Sequence, residues 1–192
     1  AFGMFMERAG LKEKIADIIE RVDFEETEEL QSASKEIRSL MEEQEIPDEL
    51  RKEILEAYHI LSSDKIDEKG VSEDALSILK NAQEPIFVSV RSSATTEDLV
   101  DASFAGQQES FLNIKGDSKI IDYIRRCFSS LYTARAIYYR NKKGFKEGQS
   151  LLAVVIQKMV DSEKSGVIFS RDPLTLNENV VLEAVYGLGE GI

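Results

Sequence analysis

The sequence predicts an α+β fold with a helix-rich N-terminal segment. Three observations predict it. Apolar residues recur at helical spacing from Leu11 to Leu79. Short runs rich in β-branched and aromatic residues begin only after Pro85. Those runs do not alternate regularly with helices, which argues against a doubly wound parallel sheet. The reading divides the chain into a helical segment, residues 1–84, and a mixed strand and helix segment, residues 85–192.

The elements follow in order. Leu11, Ile15, Ile18, Ile19 and Val22 form one helical stripe, and Leu30, Ala33, Ile37, Leu40 and Met41 a second. Pro47 opens a third helix, with Asp48 and Glu49 suited to the positive end of its dipole. Its stripe is Leu50, Ile54, Tyr58 and Leu61. Gly70 marks a break, and Ser72 with Glu73 starts a short helix over Ala75, Leu76 and Leu79. Strands are predicted at Ile86–Val90 and Glu109–Ile114. A single long helix is predicted between Asp117 and Asn141, with the stripe Ile120, Ile124, Cys127, Leu131, Ala134 and Tyr138. Leu151–Val160 is almost continuously apolar, the pattern of a strand buried on both faces. Ser165–Ser170 and Asn179–Gly187 complete the strands.

Composition narrows the function classes. A chain of 192 residues, 42% hydrophobic and 31% charged, is ordinary for a soluble globular protein. No apolar stretch is long enough to span a membrane. The start lacks a basic region followed by an apolar block, so no secretory leader is expected. The one cysteine, Cys127, excludes an internal disulfide and fits a reducing cytoplasm. The net charge of −12 resides entirely in residues 1–85, while residues 86–192 balance to zero. Acidic helices there argue against nucleic-acid binding, which uses basic surfaces.

Three stretches could carry chemistry. In "SVRSSATTEDL", Arg91 follows a strand and offers a planar fork of donors suited to phosphate oxygens, among the hydroxyls of Ser92, Ser93, Thr95 and Thr96. A structural ion pair or a solvated turn is the alternative. In "SFAGQQES", Gly106 permits close backbone approach to a ligand, or simply turns the chain into the next strand. In "VIQKMV", the groups after Gln157 could read an adenine edge while Met159 and Val160 hold the ring; the alternative is a strand end with a snorkelling Lys158. Neither phosphate-loop fingerprint, G-x-x-x-x-G-K-[ST] or G-x-G-x-x-G, is present. His59 stands alone on an amphipathic helix, Cys127 reads as inert core, and no metal-ligand spacing occurs.

Taken together, the stretches "VSVRSSATTEDLVDASFAGQQESFLNI", "RRCFSSLYTARAIYYR", "VVIQKMVDSEKSGVIFSRDP" and "VVLEAVYGLGEGI" come in a recognisable order and spacing. They closely resemble the N-terminal nucleotide-binding domain of the phosphoenolpyruvate synthase family, whose wider group includes pyruvate phosphate dikinase and rifampicin phosphotransferase. The segments "MERAGLKEKI" and "EILEAYHILS" look like the helical part that precedes the first motif. The resemblance implies an ATP-grasp-like fold and a phosphoryl transfer from ATP, with Mg²⁺, to a histidine on a separate domain. In the synthases that group passes on to pyruvate. Carried over by motif, Arg91 would contact the ATP phosphates. Gly106 and Ser110 would lie along the phosphate-side loop, and Gln157, Met159 and Val160 would form the adenine-facing hinge.

The resemblance also implies absences. The family's phosphate-binding lysine falls upstream of Ala1, its metal-binding acid falls beyond Ile192, and no relay-histidine motif occurs. The expectation is an internal piece of a larger enzyme, carrying part of an ATP site and inactive alone. A rifampicin-type phosphotransferase and a non-catalytic nucleotide-binding module remain the alternatives.

Overall fold

The computed structural model describes residues 1–62, 84–95, 98–99, 102–103, 109–145, 148 and 150–189. The described elements are α1 (Phe2–Arg8), α2 (Leu11–Glu20), α3 (Thr27–Glu42), α4 (Asp48–Ser62), β1 (Val88–Ala94), β2 (Asp98–Leu99), β3 (Ala102–Ser103), β4 (Ser110–Ile114), α5 (Asp117–Ser130), α6 (Ala134–Lys142), β5 (Leu152–Lys158), β6 (Lys164–Phe169) and β7 (Val181–Tyr186). The fold is mixed helix and sheet, as the sequence predicts. The helix expected from Ser72 lies outside the described residues. The chain forms two compact units, Ala1–Lys158 and Met159–Ile192.

In the first unit the helices and the sheet share one core. Phe2, Phe5 and Met6 line one side of α1, the spacing that puts side chains on one helical face. Gly10 takes a left-handed conformation, φ 60°, and turns the chain directly into α2, a geometry that costs glycine little. Leu11, Ile15 and Ile18 of α2 and Leu30, Ala33, Ile37 and Met41 of α3 are buried, so both predicted stripes face inward. Phe128 of α5 receives Phe2 edge-on and Phe5 at a tilt, both at 5.4 Å between ring centres. Arg125 closes the end of α3 by donating through Nη1 to the carbonyls of Glu42 (2.9 Å) and Gln44 (3.1 Å). Those carbonyls have no partner within the helix.

The predicted long helix is two helices. The chain turns at Leu131 and Tyr132, and Thr133 caps α6 by accepting from the Ala136 backbone N–H at 3.2 Å. A threonine at this place competes for backbone donors and starts a helix better than it continues one. The break resets the helical phase. Ala136, Ile137 and Arg140 face inward on α6, while Tyr138, expected in the stripe, is exposed.

The sheet of the first unit has the order β4-β1-β5, all antiparallel. The predicted strand at Ile86–Val90 is displaced: β1 runs on through Arg91 to Ala94. It is the central strand, and backbone pairing on both sides carries its polar half into the sheet. Helix α5 covers one face, against which Val88 and Val90 are fully buried. The other face is exposed at Arg91, Ser93, Ser110, Ala153, Val155 and Gln157. Strand β5 is therefore not buried on both faces as expected. Leu152, Val154 and Ile156 point to the core side, and Val155 is 46% exposed on the other.

The second unit is built on one antiparallel hairpin, β6 with β7, in register from Lys164↔Tyr186 to Phe169↔Val181. Asp172 organises its connection by accepting from the Leu174 and Thr175 backbone N–H groups and the Thr175 hydroxyl. These bonds, the hydroxyl's foremost, hold its carboxyl below the usual aspartate range. None of the described residues of this unit is buried.

Candidate functional site

The exposed face of the β4-β1-β5 sheet brings together three of the residues singled out in the sequence. Arg91 lies opposite Ser110 of β4 on one side and Val155 of β5 on the other. Ser89, two residues back on the same face, lies opposite Gln157. Arg91 is thus a strand residue, not the first residue of a loop. Its side chain is exposed, and among the described residues no carboxylate pairs with it. That removes the described acids from the ion-pair alternative.

A β-bulge decides that Ser110 shares this face. The ladder pairs Val88 with Ile114 but Val90 with Phe111, so Leu112 and Asn113 together oppose Ser89. Asn113 takes φ 58°, a left-handed conformation that asparagine tolerates better than most residues. Without the extra residue, Arg91 would face Phe111, and Ser110 would move to the helix side. With it, Phe111 packs on Tyr123 of α5, ring centres 4.8 Å apart, and Ser110 stands in the open beside Arg91.

The remaining candidates divide. Gly106 lies outside the described residues, as does Thr96. Met159 and Val160 begin the second unit; Met159 is half-buried and Val160 exposed. Ser92 belongs to the covered face and bonds the Glu109 carbonyl at 3.2 Å. Thr95 pairs reciprocally with the Leu151 backbone. Both hydroxyls bond neighbouring backbone; Ser92 does so on the covered face, whereas Thr95 is exposed. Cys127 is fully buried; desolvation, assisted by the charge of Glu109, pushes its thiol up to about 12, which fits inert core. His59 meets Asp117 at 2.9 Å. Among the described residues no three His, Cys, Asp or Glu side chains converge as a metal site requires.

Sequence reasoning missed Val155 and Asn113. Val155 could have been found by parity, two residues before Gln157 on one strand. The signal for Asn113 was an asparagine near the end of a predicted strand, where that residue is depleted.

Comparison with known proteins supplies the context. Residues 1–192 match the family described as pyruvate phosphate dikinase, AMP/ATP-binding domain. The chain belongs to that family. Relatives of this AMP/ATP-binding domain include a probable phosphoenolpyruvate synthase of Methanocaldococcus jannaschii, 44% identical over 193 residues, and another of Archaeoglobus fulgidus, 44% identical over 191. A phosphoenolpyruvate synthase of Pyrococcus furiosus is 43% identical over 183 residues. The alignments cover 100%, 100% and 95% of this chain but 15%, 23% and 20% of those proteins. The AMP/ATP-binding domain here thus spans about a quarter or less of the length of the relatives it matches. Among its described residues no helix is long and apolar enough to cross a membrane.

Proposed function

We propose that this chain is the ATP-binding part of a phosphoenolpyruvate synthase. The reaction is ATP + pyruvate + water giving phosphoenolpyruvate, AMP and phosphate, through a phosphohistidine on another domain of the full-length enzyme. The observation that carries the reading is the common exposed face of Arg91, Ser110 and Gln157 in a chain matching an AMP/ATP-binding family throughout. The proposed fold is ATP-grasp-like and the proposed location cytoplasmic.

The chemistry follows from the side chains. Arg91 grips phosphate oxygens through two parallel N–H donors, and its fixed charge opposes the negative charge that spreads over the transferring group. Ser110 donates its hydroxyl to the same phosphates, and the motif assigns Gly106, outside the described residues, to the same end of ATP. Gln157, with Met159 and Val160, holds the adenine end. Work at this site is positioning and charge stabilisation, the main demands of phosphoryl transfer. Mg²⁺ would neutralise charge on bound ATP, but the described residues offer no set of ligands that fits it.

The test uses the full-length enzyme. Incubated with ATP, Mg²⁺ and pyruvate, it should give phosphoenolpyruvate, AMP and phosphate in equal amounts by phosphorus NMR. Formation of ADP instead, or of no phosphoenolpyruvate, contradicts the proposal.

A further inference from the structure

Strand β4 is held from below by a chain of polar contacts that no sequence motif announced. Glu109 immediately precedes Ser110. Its carboxylate receives Arg38 of α3, whose Nη2 lies 3.0 Å from one oxygen and 3.1 Å from the other. Arg38 Nε also stands 3.7 Å from Glu42, one helical turn on, and Glu42 accepts the Ser129 hydroxyl of α5 at 2.5 Å. The Glu109 carbonyl accepts from the Ser92 hydroxyl of β1. Glu109 is therefore fixed by its side chain to the helices and by its backbone to the central strand.

This matters because the β4 register is interrupted. The bulge at Leu112 and Asn113 separates the pair Arg91↔Ser110 from the pair Val88↔Ile114, so the outer end of β4 is not held by an unbroken ladder. Bulged strands bend and twist more than regular ones. We propose that Arg38 is a positioning residue for the nucleotide site: through Glu109 it holds the Ser110 end of β4 against β1, with Ser110 presented beside Arg91. The inference rests on the ATP-binding reading above.

The pair is partly exposed, with side-chain accessibilities of 29% and 35%. A pair of that kind adds little to global stability. Its loss should therefore show in ligand geometry more than in melting temperature. Arg38→Met keeps much of the length and removes the charge. In the full-length enzyme it should raise the KM for ATP and the Kd for Mg·ATP about tenfold, the scale expected when a contact is displaced without being deleted. The pyruvate–phosphoenolpyruvate exchange and the melting temperature should change little. Arg38→Lys should recover part of the affinity, since one ammonium can still reach one carboxylate oxygen. Exchanging the partners in the double variant Arg38→Glu, Glu109→Arg should recover more than either single change.

Unchanged ATP affinity in Arg38→Met overturns the inference. So does a parallel fall of exchange activity, ATP affinity and melting temperature, because that is a purely structural role. Arg91→Lys separates this result from failure of the underlying reading. If Arg91→Lys weakens ATP binding and Arg38→Met does not, only the positioning role is lost. If the wild-type enzyme does not bind Mg·ATP, both fall.

Discussion

Arg91 and Ser110 face each other across the β1–β4 ladder on the exposed side of the sheet, and they do so because Asn113 adds one residue to β4. A single backbone irregularity thus decides which side chains share the candidate site.

That relationship can be tested at Asn113. Its left-handed φ of 58° suits glycine and is strained for a β-branched residue. Asn113→Gly should leave stability within about 0.5 kcal/mol, whereas Asn113→Val should cost about 1–2 kcal/mol. Urea denaturation of the two variants measures the difference. Equal stabilities would mean the bulge does not depend on this conformation.

Tyr58 is a second fixed point. Its hydroxyl donates to the Ile86 carbonyl at 2.8 Å and accepts from the Gly116 backbone N–H at 3.1 Å, with the ring fully buried. It ties α4 to the entrances of both β1 and α5. Tyr58→Phe leaves two backbone groups without this partner and should cost about 1–3 kcal/mol. A change below the error of the denaturation curve would show that water replaces the hydroxyl.

The buried thiol gives a pH signature. Burial, with the charge of Glu109 nearby, pushes the Cys127 thiol from its ordinary 9.0 in the unfolded chain up to about 12 in the folded one. Between those values the unfolded chain releases a proton that the folded chain keeps. Stability should therefore be unaffected below pH 9 and fall as pH rises from 9 toward 12, by about 1.4 kcal/mol per pH unit from this group. Cys127→Ala should show a shallower alkaline decline, and native Cys127 should resist iodoacetamide at pH 8. Parallel pH profiles for the two proteins would remove the thiol from the explanation.

The second unit should open first. It is a two-stranded hairpin with no buried residue among those described, and Ile168, Leu182 and Tyr186 of one face are largely exposed. Isolated hairpins of this kind are marginal in water. In limited proteolysis of the 192-residue chain, cleavage after Met159 should precede any cleavage within α1–α6. Early cuts inside α3 or α5 would reverse that order.

Much of this was legible in the sequence, for physical reasons. The stripes of α2, α3 and α4 follow a strong helical period, and each was found. The break at Thr133 was hidden because apolar residues continue at compatible spacing through it. The two-sided burial expected of β5 failed because an apolar run does not say how many layers cover a strand. Arg91, Ser110 and Gln157 were singled out by motif; the regular β1–β5 ladder puts Gln157 on the face of Arg91, and the bulge in β4 adds Ser110. The Arg38–Glu109 pair lies 71 residues apart in sequence, and only the fold brings it together.

The central claim is that Arg91 grips ATP through its fork and does not merely support the sheet. Arg91→Lys in the full-length enzyme tests it directly, because lysine keeps the charge and loses the two-point geometry. The measurement is the rate of ATP-dependent phosphorylation of the relay histidine, beside the pyruvate–phosphoenolpyruvate exchange and the melting temperature. The account predicts a loss of about a hundredfold or more in the first, with the other two nearly unchanged. A variant that phosphorylates normally, or one in which all three fall together, would contradict it.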